Sequence, residues 1–281
     1  MTDPYLLQVQ EQVREWESRG PTFLNRIEGL LLTPLQQAAE AFIPDELHDE
    51  VAHRLEHAMK GLHQVGHRLV EPDKIRQQLG VKTEILGSPF QASDGLARSY
   101  WAWGLTWAGI EGGLTGAAGW GGFLLDVPAL YTIALRTTQQ IAVCYGYDLA
   151  SEKEQRYSMS LLKAGSAANM TSRFESMLEL KKLEHALIAE GIRRLGVTSV
   201  ASTVTREVAG AVSMQLLRRK ALQFLPFVGS LIGASFNAYF IHEVAETAYM
   251  SYRRRKLAEL QGEADGEVGP IRESIPKNRV R

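Results

Sequence analysis

Three ionisable residues, Glu111, Asp126 and Arg136, stand within the otherwise apolar, glycine-rich stretch from Gly104 to Asp148. A charge in a dry setting costs free energy unless it is paired or bound, so the trio marks a candidate polar pocket. Arg136 suits a ligand best, because its planar guanidinium forks onto phosphate. Asp126 has a plainer use, as a carboxylate near a helix start just ahead of Pro128. The two lie ten residues apart, too far for a direct pair along one helix. Should Arg136 open onto a solvent-connected pocket lined by Asp126 or Glu111, a ligand role gains; packed and paired, it is structural.

Other residues offer weaker chemistry. His53 and His57 are four apart, as are His63 and His67, a spacing at which each pair could chelate a metal. All four fall opposite the apolar face of their helix, and no H-E-x-x-H signature accompanies them, so a wet polar face is expected and no metal is assigned. Cys144, the single cysteine, lies in apolar surroundings and reads as a buried, inert thiol. Tyr147 and Asp148 follow a helix end and are either an exposed site or a local cap. Asn237 is an amide among aromatic residues and needs buried partners. No G-x-S-x-G elbow and no phosphate loop ending in G-K-[ST] occurs, so no cofactor is expected.

Composition narrows the classes. Basic and acidic residues number 31 and 32, so nothing draws the whole chain to nucleic acid. One cysteine leaves no intramolecular disulfide, and the opening residues lack the basic and apolar regions of a signal peptide. A cytoplasmic protein is expected, with peripheral attachment at the inner membrane face left open.

The elements that must position these residues read as helices throughout. Residues 1–20 form an amphipathic helix with Tyr5, Leu6, Val9, Val13 and Trp16 on one stripe. A second helix runs from about Pro44 to Val70, another helix or turn from Pro72 to Leu79, and 80–95 reads as a connection in which Ser93 or Asp94 caps the next helix. Tyr100, Trp101, Trp103 and Trp107 give 95–110 an unusual aromatic density, and 112–125 carries no charge. Pro128 starts a further helix, with Asp126 or Val127 near its N-cap, and Gly146 stops it. Ser151 and Glu154 make a capping box. Residues 221–241 are free of formal charge, and Gly229 and Gly233 permit close helix contact in lipid or in a protein core. Basic clusters at 218–220 and 253–256 flank that run and suggest a membrane surface. The fold expected is all-α: an N-terminal helix (1–20), one multi-helix domain with close-packed glycine-rich central helices (21–260), and a flexible tail (261–281).

The run from Gly113 to Asp148, with GGFLLDxPALYxxALR and CYGYD, resembles the EcsC family, as does PFVGSLIGASFNAYF from Pro226 to Phe240. The likeness extends over most of residues 40–260, and Asp126, Pro128, Arg136, Tyr145, Gly146, Asp148, Pro226, Gly229, Gly233 and Asn237 occupy its motif positions. The resemblance implies an all-helical bacterial protein with a membrane association, and it supplies no catalytic set. The function expected is non-enzymatic binding of a membrane surface, a lipid or a membrane-protein partner, through Arg136, Asp126, Glu111, Tyr147, Asp148 and Asn237. Two alternatives stand beside it: a hydrolase of lipid-like substrates using Glu111, Asp126 and a histidine such as His185, and a purely structural or adaptor protein.

Overall fold

A computed structural model describes residues 3–18, 53, 70–115, 119–167, 175–184 and 229–261. Among them there are seven helices and no strands. They are α1 (Pro4–Ser18), α2 (Pro72–Leu86), α3 (Pro89–Thr115), α4 (Gly119–Cys144), α5 (Glu152–Gly165), α6 (175–184) and α7 (Gly229–Leu260). The all-α expectation holds. No helix among the described residues is long and apolar enough to cross a membrane.

The long helix α7 is the axis of the bundle. α1, α3, α4 and α5 pack against it, and α2 lies on α3 and α4. Its described part buries Phe240, Ile241, Val244, Ala245, Ala248, Tyr249 and Tyr252 on one broad half of the helix, and Glu243, Thr247, Arg253 and Leu257 are buried on the other side. A helix buried on both sides belongs at the centre of its neighbours. α1 does the opposite and buries a single stripe, Val9, Val13 and Trp16, the one its sequence periodicity specifies. Each such side chain contributes roughly 1.5–3 kcal/mol when fully buried.

Glycine sets the two closest approaches. A Cβ on Gly104 of α3 would lie 2.5 Å from the Thr137 hydroxyl of α4, and one on Gly165 of α5 would lie 2.6 Å from the Val244 Cα of α7. The glycines of 112–122, with Gly229 and Gly233, have surroundings outside the described residues. Gly104 meets a threonine side chain and Gly165 lies outside both motif-bearing segments, so neither is the contact between glycine-rich segments that the sequence suggests.

Three local expectations are corrected. Residues 80–95 are not one connection: α2 continues to Leu86, Gly87 ends it at φ 64°, and α3 begins at Pro89. Asp94 therefore sits inside α3 and caps nothing. Pro128 does not open a helix but lies within α4, nine residues after its start, so Asp126 is no N-cap residue. Proline lacks the N–H that the ladder would use, and Thr132 Oγ1 donates to the Pro128 carbonyl at 2.8 Å. Ser151 does stand at the N-cap of α5, but its side chain makes no capping bond. Glu154 has turned inward instead, because a buried arginine competes for it.

The end of α4 follows the sequence closely. Gly146 takes φ 88°, Gly146 N–H donates to the Val143 carbonyl at 3.0 Å, and Tyr147 N–H donates to the Ala142 carbonyl at 3.1 Å. This pair of bonds is the Schellman arrangement, which needs a residue free to adopt left-handed backbone.

Candidate functional site

The basic run Arg253-Arg254-Arg255 on α7 is turned into the bundle. Successive residues on a helix point about 100° apart, so three in a row reach three different neighbours. Arg253 pairs with Asp94 of α3 at 2.8 Å and donates to Gln12 of α1 at 2.6 Å. Arg254 pairs with Glu184 of α6 and with Glu17 of α1, the latter at 2.6 Å. Arg255 pairs with Glu154 of α5 at 2.8 Å, while the Tyr147 ring lies 4.0 Å beneath its guanidinium. Arg253 is 1% exposed, and Arg255 is also buried. Of the basic cluster at 253–256, the three arginines are thus taken up by carboxylates from four helices, and Lys256 pairs with Glu259 at 3.4 Å.

Tyrosines close the network. Tyr5 and Tyr145 donate to the two oxygens of Asp94 at 2.6 and 2.5 Å. Tyr157 donates to Glu184 at 3.0 Å, and the hydroxyls of Ser158 and Tyr252 lie 3.0 Å apart. Burial pushes the Tyr145 hydroxyl far above its ordinary pKa, and the Asp94 charge adds to this. These phenols therefore stay protonated and serve as donors. Burial raises the Glu154 carboxyl more than Arg255 lowers it. At Glu17 the balance reverses: Arg254 and Lys181 outweigh burial and hold the carboxyl below its usual range.

The expected site residues divide. Tyr147 is buried, its hydroxyl bonded to Glu259 at 3.0 Å, so it forms no exposed site. Asp148 is exposed and accepts from the Ala150 N–H at 3.0 Å, the local cap that its position suggests. Asn237 is buried on α7. Cys144 is buried, and burial drives its thiol pKa well up, as befits an inert cysteine. Glu111 lies on α3 and Asp126 on α4, but their side chains fall outside the described residues. His57, His63, His67, His185 and the cluster at 218–220 are also outside them; His53 is helical and exposed.

Arg136 is exposed, neither packed nor ion-paired among the described residues. It is near Tyr100: burial raises the Tyr100 hydroxyl pKa, and Arg136 opposes that rise. Tyr100 lines a groove of about 490 Å³ between α2 and α3, together with Gln78, Val81, Lys82, Leu96 and Trp103. Its hydroxyl donates to Gln78 at 2.9 Å across the two helices. Lys82, half-buried in the groove, has no carboxylate partner among the described residues.

Beside the groove runs an uncovered apolar face. Trp103 is 60% exposed and Trp107 53%, with Ile110 one turn further on. Residues 103, 107 and 110 share one side of α3 by their spacing. Val81 and Ile85 of α2 are exposed as well. The aromatic density of 95–110 was legible in the sequence; its division into buried and exposed members was not. The i, i+4, i+7 spacing of Trp103, Trp107 and Ile110 is the signal that marks a common face, and Lys82 was hidden by reading its helix as a connection.

Comparisons with known proteins place the chain in a family. The model of the EcsC protein family matches residues 7–257. An uncharacterised protein of Bacillus subtilis (strain 168), YdbA, is 27% identical over 199 residues, covering 70% of this chain and 69% of that protein. No solved structure matches.

Proposed function

The chain belongs to the EcsC family, and we propose that it is a non-enzymatic binding protein that attaches peripherally to anionic membrane surfaces through the α2–α3 face. The observation behind this reading is the exposed stripe of Trp103, Trp107 and Ile110, with exposed Val81 lining the groove beside Trp103. Tryptophan favours the headgroup level of a bilayer, where its ring is buried and its N–H stays wet. Lys82 and Arg136 supply cations that no carboxylate among the described residues neutralises, and both suit lipid phosphate.

The sequence adds a length argument. It carries no charge from 112 to 125, between Glu111 and Asp126, and that run is shorter than the about 20 apolar residues a helix needs to cross ~30 Å of hydrocarbon. Glu111 and Asp126 then mark the boundary with water in place of a catalytic pair. The hydrolase alternative draws on side chains outside the described residues, and no observation favours it.

The test is co-sedimentation with vesicles of phosphatidylcholine alone and with added phosphatidylglycerol, following tryptophan emission. Binding to the anionic vesicles with a blue shift, weakened by salt, is expected. Protein that stays in the supernatant with anionic vesicles at low salt removes the reading.

A further inference from the structure

We propose that His242, Glu243 and Glu246 on α7 bind a first-row divalent cation of the manganese, iron or zinc type. One imidazole nitrogen and two carboxylate oxygens, one from each residue, all lie within 4.8 Å of one another. His242 and Glu246 are four apart and so share a helix face, while Glu243 is buried at its side. A mixed nitrogen and oxygen set suits these metals, whereas calcium and magnesium prefer oxygen alone. Two carboxylates held this close repel, and a divalent charge offsets that repulsion directly. Both glutamates also take part in other polar contacts, so the cation binds in competition with them.

The surroundings supply an independent pointer. The Trp101 ring of α3 lies 5.2 Å from the His242 ring, and its buried Nε1 has no hydrogen-bond partner among the described residues. A buried donor left unpaired is costly, and a water on the cation would offer an acceptor. On the other side, α5 approaches so closely that a Cβ on Gly165 would lie 3.1 Å from the Glu243 carbonyl. That contact fixes the helix turn that carries the ligands. Three protein donors leave the remaining coordination positions to water. The inference is independent of membrane attachment.

The experiment uses the full chain stripped with chelator and desalted. Zinc and manganese are titrated calorimetrically, and cobalt is titrated while tryptophan emission is followed. One saturable site per chain is expected, weakened at least tenfold in both His242→Ala and Glu246→Gln. Cobalt should quench emission, and Trp101→Phe should lose that quenching while retaining the heat of binding. Glu246 is half-exposed, so its variant remains informative if the His242 change unfolds the protein. Saturable binding that survives both ligand variants, or that disappears in His53→Ala/His57→Ala instead, overturns the assignment. So does the absence of any saturable heat.

Discussion

Two regions of this molecule combine aromatic rings with cations and treat them in opposite ways. At the C-terminal half of α7, Arg253, Arg254 and Arg255 are each neutralised by a carboxylate from another helix, and Arg253 and Arg255 also lie against tyrosine rings. On the α2–α3 face, Trp103 and Trp107 are open, and Lys82 and Arg136 have no carboxylate partner among the described residues. Residue type does not separate the two; geometry does. Where several helices converge, acids from each can reach one arginine, and desolvation makes such pairing obligatory. At the α2–α3 edge no carboxylate among the described residues reaches Lys82 or Arg136, and the same kinds of side chain stay unneutralised there.

The largest effect that tests this contrast lies in the buried region. Asp94→Ala strands Arg253 and the hydroxyls of Tyr5 and Tyr145, and should cost about 3–5 kcal/mol in urea unfolding. A loss under about 1 kcal/mol would mean that Arg253 regains water, and the two regions would not differ as described.

Gly165→Ala comes next, at about 1–3 kcal/mol, because the new methyl meets the Val244 backbone, which cannot rotate away. Gly109→Ala on α3 is its control. Nothing lies within 4 Å of that position, and helix propensity should raise stability by up to about 1 kcal/mol. Melting of both variants checks the sign.

On the open face the readouts separate. Trp103→Ala with Trp107→Ala should leave stability within about 0.5 kcal/mol per site yet lower partitioning onto anionic vesicles at least tenfold. A large drop in melting temperature instead would place these rings in the core. Arg136→Ala and Lys82→Ala should each weaken vesicle binding by about 1 kcal/mol, roughly fivefold, with the difference vanishing at high salt. If Arg136→Ala changes only the melting temperature, its role is structural.

The smallest effect is one of pH. The Glu17 carboxyl is held below its ordinary value of 4.5, so its stabilising charge is present above that value and is lost as pH falls through the lower, folded one. Glu17 is partly exposed, and the contribution is correspondingly modest. Glu17→Gln should flatten the stability profile below pH 4.5 and leave it unchanged in shape between about pH 6 and 8.

Much of the architecture was legible because its signals are local. The stripe on α1 and the Gly146 helix stop rest on residues within a few positions of one another. The site was less legible. Ser151 and Glu154 have the spacing of a capping box, and Asp94 stands where the sequence suggests a cap, yet both carboxylates answer arginines far along the chain. Pro128 also misled: proline fits the start of a helix, yet here it lies inside α4.

The amino-acid order alone determined that the chain is helical, where α1 buries its face, how α4 stops and that Cys144 is inert. Only the tertiary structure decided the fate of the charges, because a helix sequence specifies the direction of a side chain but not what waits there. Arg253 meets Gln12 across 241 positions, and no local pattern carries that information. The same folding left Trp103 and Trp107 exposed, which their spacing alone does not tell.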